Sequence, residues 1–256
     1  MLIALTRAVP PSIVRCELTH LARSHMDVGL AAVQHARYEA ALETLGCTIQ
    51  RLPDEPELPD SVFVEDTAVV VDEVAVIARP GAESRRAETD SVAEALRHHR
   101  PLRAIEPPGT LDGGDVLRIG RRVYVGLSAR TNADGATQLR DLLVPFGYAV
   151  HRVEARGCLH LKTAVTAVAG DLILLNPSWV DGDVFEAPRL EVHPDEPFAA
   201  NTLRVGETVL CSAAAPRTLE RLESHGLSTQ AVDVSELEKG EAGLTCCSVI
   251  VPVQRL

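Results

Sequence analysis

The 256-residue sequence has no apolar run long enough to cross a membrane as a helix. Its first residues, Met1 to Arg7, lack the basic start of a secretory signal peptide and continue directly into a strand-like pattern. We therefore expect a cytoplasmic protein with no membrane partner. No linker, low-complexity tract or charge block divides the chain, so the sequence predicts one domain over residues 1–256.

Aromatic residues and lysines are scarce. Aromatic residues make up 3% of the chain, so aliphatic side chains must fill the core that a hydrophobic content of 46% implies. Lys162 and Lys239 are the only lysines, and the net charge is -11. An acidic protein of this kind is a poor partner for nucleic acid or an anionic membrane, whereas a cationic small molecule is compatible with it. The sequence leaves a homodimer open.

The six cysteines include no Cys-x-x-Cys pair, and no His/Cys cluster has the spacing of a structural zinc site. In a reducing compartment we expect free thiols. The default role of Cys47, Cys158 and Cys211 is that of a small buried hydrophobe. The sequence therefore predicts no cofactor and no metal.

Five polar residues recur along the chain at nearly regular intervals, and each opens a β-prone run. The gaps between them are 47, 48, 41 and 45 residues, and the residues are Glu65, Asp112, His160, Asn201 and Cys246. Equal spacing of this kind indicates repeated supersecondary units. If the units surround an axis, these five markers converge. A thiol, a histidine and a carboxylate brought together in this way form a nucleophilic catalyst.

Each marker precedes a unit of two strands, a helix and a third strand. The unit after Asp112 has a hairpin pattern over 116–127, helical spacing over 133–146 and a strand pattern over 149–153. In the unit after His160, a stretch rich in Gly, Asp and Pro predicts a short turn instead of the helix.

The chain ends after one strand of the last unit, which follows Cys246. Residues 2–5, 30–45 and 48–52 have the patterns of its missing strand, helix and third strand. The sequence thus predicts an α/β ring of five units, closed by joining the N- and C-terminal segments, with no free sheet edge between the first and last units.

Strand alternation distinguishes the adjacent cysteines, because Cys246 and Cys247 would point to opposite faces of a strand. Cys246 shares the repeat position of His160 and Asp112, so we predict Cys246 as the nucleophile and Cys247 as a packed neighbour. By themselves, Arg85 and Arg130 have the pattern of surface arginines.

Ordered motifs over essentially the whole chain resemble those of the dimethylarginine dimethylaminohydrolases, members of the guanidino-group-modifying superfamily. They include Phe63-Val64-Glu65-Asp66, Leu111 to Leu117, Arg130-Thr131-Asn132, His160-Leu161-Lys162 and Leu244 to Val249. The resemblance implies a five-bladed α/β propeller, which agrees with the five units. The segment Gly240 to Gly243 departs from the family pattern.

The resemblance also implies a reaction, the hydrolysis of mono- or asymmetrically dimethylated L-arginine to L-citrulline and an amine through a covalent S-alkylthiouronium. It implies Cys246 as nucleophile, His160 as acid and base, and Asp112 as the carboxylate that orients His160. It further implies that the substrate guanidinium lies among Asp60, Glu65 and Asp66, the α-carboxylate at Arg85 and Arg130, and Leu18 in a lid loop of about residues 9–26.

Two alternatives stay open besides amidino transfer to an amine acceptor, whose enzymes are usually longer. Arginine deiminases typically have an aspartate two residues after the catalytic histidine; Lys162 occupies that position here, which favours the methylarginine reaction. A catalytically silent propeller that acts as a binding protein is the other alternative. The cysteine, histidine and carboxylate at equivalent repeat positions argue against it.

Overall fold

A computed structural model describes residues 1–253, and over this range fifteen short strands form five separate three-stranded sheets. The strands are β1 (Leu2–Thr6), β2 (Cys47–Arg51), β3 (Ala68–Val70), β4 (Ala75–Ile77), β5 (Leu102–Ala104), β6 (Val116–Ile119), β7 (Arg122–Leu127), β8 (Ala149–Glu154), β9 (Val165–Ala167), β10 (Ile173–Leu175), β11 (Arg189–Glu191), β12 (Leu203–Val205), β13 (Thr208–Ser212), β14 (Ser228–Val232) and β15 (Val249–Pro252). Residues 254–256 of the predicted domain lie outside the described residues.

The helices of the described chain are short apart from the first. They are α1 (Val28–Thr44), α2 (Thr89–Leu96), α3 (Ala133–Leu143), α4 (Leu161–Ala164), α5 (Pro216–Ser224) and α6 (Ser235–Glu238), with 3-10 helices at Pro11–Arg15, Val64–Thr67, Glu83–Glu88, Gly113–Asp115, Val144–Phe146 and Gly182–Val184. Within the described range, no helix combines the length and the apolar character needed to span a bilayer.

All five sheets have the same topology. The middle strand pairs antiparallel with one neighbour and parallel with the other, in the orders β3-β4-β5, β6-β7-β8, β9-β10-β11, β12-β13-β14 and β15-β1-β2. A parallel pair requires a crossover connection, and α1, α2, α3 and α5 supply it in four of the sheets.

The fifth sheet closes the ring, as the sequence predicted. Strand β1 pairs antiparallel with β15, from Leu2 opposite Pro252 to Leu5 opposite Val249, and parallel with β2. Strand β15 in turn contacts β3 of the next unit. The five-bladed α/β propeller is confirmed.

The short turn predicted for the unit after His160 is confirmed, because the 3-10 helix Gly182–Val184 takes the place of a crossover helix there. That unit also has a third strand, β11, which its own sequence pattern did not reveal. Two local predictions need correction. Glu65 and Asp66 lie in a 3-10 helix before β3 and not in a strand. Cys246 and Cys247 lie in a turn before β15, so strand alternation does not separate them.

Five aliphatic clusters form the core of the described residues. In the cluster between β3, β4 and α2, for example, Ala75, Ile77, Val92 and Leu96 are packed together and buried. Such packing fixes the outer layer of each blade, while the turns that begin each unit meet on the inside.

Candidate active site

The markers converge because backbone and side-chain hydrogen bonds join neighbouring units at the start of each blade. The Glu65 N–H donates to the Cys246 carbonyl (3.1 Å), and the Gly114 N–H donates to Asp66 Oδ1 (3.0 Å). The Leu161 N–H donates to Asp115 Oδ1 (2.9 Å). These bonds bring the last, first, second and third units together, which places the predicted thiol, carboxylates and histidine around one point.

Glycine allows this close approach. A Cβ atom on Gly113 would lie 2.1 Å from the Glu65 carbonyl oxygen, and one on Gly114 would lie 2.6 Å from His160 Nδ1. Both distances are far below van der Waals contact, so only glycine lets the Asp112 turn pack against Glu65 and His160.

A small cavity of about 10 Å³ lies at this point. Six of the predicted site residues line it: Asp60, Asp66, Arg85, Arg130, His160 and Cys246. Asp112 is fully buried behind His160, while Glu65 and Leu18 do not line the cavity. A volume of this size holds about one water molecule, so an amino acid can enter only if part of the wall moves.

His160 lies between two carboxylates. Its Nε2 is 3.1 Å from Asp112 Oδ2, and its Nδ1 is 3.7 Å from Asp66 Oδ1. Burial by itself would lower the pKa of His160, but the charge of Asp66 and the hydrogen bond to Asp112 outweigh burial and raise it to about 9. The imidazole is therefore protonated at neutral pH and can act as a general acid.

Asp66 is correspondingly held as the anion. Burial would raise its pKa, but His160 and Arg85 lower it to about 2. Arg85 Nη1 is 2.6 Å from Asp66 Oδ2, which leaves a negative charge facing the cavity even at mildly acidic pH.

Cys246 is buried, and its Sγ accepts a hydrogen bond from the Gly243 N–H at 3.3 Å. Burial, followed by the charges of Glu65 and Asp66, raises the pKa of the thiol to about 12. Without a cation beside it, this thiol is protonated at neutral pH. Cys247 is also buried, but it does not line the cavity. The two thiols therefore differ in their access to the cavity, as predicted. The cause of the difference is the conformation of a turn and not strand alternation.

The two arginines differ in how strongly they are engaged. Arg85 is buried and donates to Asp66, to the Glu88 carboxylate and to the carbonyls of Asp60 and Phe63. Arg130 makes two long contacts, one of 3.4 Å to Thr19 Oγ1 and one of 4.0 Å to Asp112 Oδ2. Arg130 is therefore the arginine whose donors are available to a ligand. Neither is the surface residue that its local pattern suggested.

Glu65 does not face the cavity that contains Cys246. Its Oε1 contacts Lys162 Nζ at 2.5 Å, and its Oε2 accepts a hydrogen bond from the Thr245 hydroxyl at 2.6 Å. Together with Lys162 and Thr245 it lines a second cavity, of about 370 Å³. A buried carboxylate needs a partner, and Lys162 supplies it, so the expected contact between Glu65 and a guanidinium is not what this geometry favours.

Leu18 belongs to an irregular segment next to the site. It is half-buried and packs against the core cluster that includes Phe63 and Cys246. Beside it, the Glu17 N–H donates to both oxygens of Asp60, and Glu17 lines the cavity. The segment therefore covers the site from one side, as a lid loop would.

Asp66, Asp112 and His160 have donor atoms within 4.8 Å of one another, which makes them the candidate metal-binding group of the described residues. Arg85 and the Gly114 N–H already bind Asp66, and Asp112 already contacts His160. These bonds satisfy the carboxylates without an ion.

Sequence reasoning missed two residues of the site. Glu88 is buried against Arg85, and burial, only partly countered by Arg85, raises its pKa to about 7. Its position three residues after Arg85 was the available signal. Glu241 lines the cavity, and the departure of segment 240–243 from the family pattern pointed to it.

Known proteins resemble this chain in sequence and in fold. The family model for the eukaryotic N,N dimethylarginine dimethylhydrolases matches residues 23–186. The N(G),N(G)-dimethylarginine dimethylaminohydrolase of Streptomyces coelicolor is 43% identical over 248 residues, which cover 96% of this chain and 95% of that protein. The chain belongs to the dimethylarginine dimethylaminohydrolase family.

Solved structures of the family have the same fold. A dimethylarginine dimethylaminohydrolase with a histidine-to-glycine substitution, an adduct with S-methyl-L-thiocitrulline, is 35% identical with a TM-score of 0.92, and the match covers 98% of this chain and 100% of that one. A cysteine-to-serine mutant of the Pseudomonas aeruginosa family member, complexed with citrulline, is 35% identical with a TM-score of 0.91 over 96% of this chain and 98% of that one.

Proposed function

We propose that this chain hydrolyses Nω-methylated L-arginine, mono- or asymmetrically dimethylated, to L-citrulline and methylamine or dimethylamine. The observation that carries the proposal is one small cavity lined by a thiol, an imidazole flanked by two carboxylates, and an arginine held by two long contacts. The related structures with citrulline and with a thiocitrulline adduct support it.

The charges of the site suit a guanidinium. Asp60 and Asp66 face the cavity and would hold the nitrogens of the substrate beside the Cys246 thiol. A cation at this point counteracts the acids that raise the thiol pKa, so substrate binding itself favours the reactive thiolate. Arg130 would pair with the α-carboxylate, a contact that a guanidinium makes well.

The reaction then follows in two halves. When the substrate cation binds, the Cys246 thiol loses its proton to solvent and the thiolate attacks the guanidinium carbon. His160 donates its proton to the methylated nitrogen as the carbon–nitrogen bond breaks, which leaves an S-alkylthiouronium. Neutral His160 next takes a proton from water as the hydroxyl adds to the same carbon. The carbon–sulfur bond then breaks and the proton of the added hydroxyl passes to the leaving sulfur, which gives citrulline and restores the thiol. Asp112 keeps the imidazole oriented in both halves.

A deiminase acting on unmethylated arginine is less well supported. The position two residues after His160 is Lys162, whose ammonium contacts Glu65 and lines the second cavity. No extra carboxylate therefore reaches the guanidinium from that position.

We further propose that the chain acts as a single domain in the cytoplasm and needs no cofactor. A homodimer is compatible with this function but is not required by it. Leu18 would cover the bound amino acid as part of the lid.

The decisive experiment compares the rates at which the ureido product forms from arginine, monomethylarginine, asymmetric dimethylarginine and agmatine under identical conditions. That product is citrulline for the three amino acids and the corresponding N-carbamoyl amine for agmatine. The proposal predicts turnover of the methylated amino acids well above the other two. A preference for unmethylated arginine would establish the deiminase alternative, and no ureido product from any of the four, with measurable binding, would establish a binding protein.

A further inference from the structure

Three side chains near the C-terminus hold the segment 16–27, called the lid segment below. Glu241 accepts hydrogen bonds from the N–H groups of Thr19 (2.9 Å), His20 (2.5 Å) and Leu21. Further along, Lys239 Nζ donates to the His25 carbonyl (3.0 Å), and Glu236 Oε2 accepts from the Asp27 N–H (2.8 Å).

The lid segment is also held near Cys16, where Asp60 accepts from the Glu17 N–H and Ser84 donates to the Glu17 carboxylate. Arg130 adds a long contact of 3.4 Å to Thr19. Cys16 and Met26 are buried near its two ends, but most residues between them are exposed. A segment with few buried apolar contacts opens at a low free-energy cost. Its polar contacts therefore decide how often it is closed.

Glu241 has the strongest of these contacts. Three successive N–H groups converge on its carboxylate, which is the arrangement in which backbone amides bind an anion, and hydrogen bonds to a charged acceptor are stronger than neutral ones. Its backbone has a φ of 59°, a left-handed conformation that is uncommon for a residue other than glycine.

Glu241 also connects the lid segment to the nucleophile. It lines the same cavity as Glu17 and Cys246, and it precedes Cys246 by five residues in a stretch that contains the Gly243 N–H donor to the thiol. The cavity is too small for an amino acid while the lid segment is in this position. Glu17 at the start of the lid segment and Glu241 both belong to the cavity wall, part of which must move before an amino acid can enter.

We propose that Glu241 is a positioning residue that holds the lid segment closed over Cys246 and thereby sets access to the thiol and retention of the substrate. This inference rests on the proposed function only for its effect on turnover. The effect on access to Cys246 holds for any role of the cavity.

Access is measured without substrate, by the rates at which Cys246 reacts with a small neutral reagent, methyl methanethiosulfonate, and a bulky neutral one, N-phenylmaleimide. The fraction of thiolate multiplies both rates equally, so the ratio of bulky to small reports steric access alone. Fragment spectra of the peptide assign the adducts to Cys246 or Cys247.

Glu241→Ala should raise this ratio about tenfold, and Glu241→Gln, which keeps an acceptor oxygen but loses the charge, should give an intermediate value. Glu238→Gln is the matched control, because Glu238 lies three residues before Glu241, at the end of α6, and its carboxylate accepts from Ser212 instead of the lid segment. Its ratio should equal that of the wild type. A ratio unchanged within about twofold in both Glu241 variants, or an equal rise in Glu238→Gln, overturns the proposal.

Kinetics on monomethylarginine supply the second readout. Glu241→Ala should lower the fraction of molecules in which the lid segment is closed. Because the apparent affinity for substrate falls with the fraction of the closed, binding-competent form, KM should rise about tenfold. The value of kcat should change by less than about threefold. A fall in kcat at unchanged KM contradicts the lid role. If the wild type does not turn over methylarginine at all, the proposed function fails, while the labelling ratio still decides the role of Glu241.

Discussion

His160 Nε2 lies 3.1 Å from Asp112 Oδ2, and the opposite ring nitrogen lies 3.7 Å from Asp66 Oδ1. The imidazole is thus placed between two buried anions, each from a different blade. This arrangement raises the pKa of His160 to about 9 in spite of burial, and so stores a proton beside a thiol whose own pKa is about 12. Before substrate binds, His160 is therefore already protonated and can act as the acid, whereas Cys246 is still a thiol and is not yet the reactive thiolate.

The first prediction concerns pH and stability. The pKa of His160 is about 9 in the folded chain and about 6.5 when unfolded, so its charge stabilises the fold fully below about pH 6.5 and this contribution disappears as pH rises through 9. Relative to His160→Gln, the wild type should lose on the order of 3 kcal/mol of unfolding free energy between pH 6 and pH 9.5. Urea titrations at the two pH values measure this difference. Parallel curves for both proteins would show that His160 is not protonated in the fold.

The second prediction separates the two cysteines. Cys246→Ser should abolish turnover, because serine lacks the nucleophilicity of a thiolate, while Cys247→Ser should keep most of it. Cys247 is 1% exposed and outside the cavity, so its variant controls for disturbance of the turn. Initial rates of citrulline formation measure the turnover of both variants, and their unfolding temperatures show whether each variant is folded. Equal loss in both folded variants would argue against Cys246 as the nucleophile.

The third prediction follows from the unequal engagement of the arginines. Arg130→Ala should lower kcat/KM for monomethylarginine at least tenfold, roughly the value of one charge-assisted contact, and should hardly affect any slow reaction with agmatine, which has no carboxylate. Arg85→Ala should instead lower stability and damage both reactions, because it leaves Asp66 and Glu88 buried without their partner.

Arg130→Lys is the control for charge without the planar fork, and it should recover part of the activity. An Arg130→Ala variant that loses both reactions equally would mean that Arg130 acts through Asp112, from which it is 4.0 Å distant, and not through the substrate carboxylate.

The sequence sufficed for the parts of the fold that repeat locally. The regular spacing of the five polar residues and the strand patterns predicted the five units. The last unit has only one strand before the C-terminus, and this predicted the pairing of β15 with β1. The short turn at Val64–Thr67 was not predictable in this way, because four residues show no periodicity.

The sequence did not predict which side chains of the site form hydrogen bonds or ion pairs with one another. Glu65 and Lys162 are 97 residues apart in sequence, and Glu241 is 220 residues or more from the lid N–H groups that it binds. Arg85 is similar in part, since Asp66 becomes its partner only when the Val64–Thr67 and Glu83–Glu88 turns pack together. Such pairs depend on packing over long separations, which a single sequence does not encode in any local pattern.

The last prediction tests the Glu65–Lys162 pair, whose side chains are 11% and 15% exposed. Lys162→Met should lower the unfolding free energy by about 3–5 kcal/mol, because it leaves a buried carboxylate uncompensated. The double variant Lys162→Met with Glu65→Gln should recover much of that loss, since both charges are then absent and the Thr245 hydroxyl can still donate to the amide oxygen. The other lysine provides the control: Lys239→Met breaks a more exposed pair with Glu236 and should cost no more than about 1 kcal/mol. Urea unfolding of the four proteins measures these values. A Lys162→Met variant as stable as Lys239→Met would show that Glu65 is protonated, and that the wall between the two cavities is held by neutral hydrogen bonds instead of an ion pair.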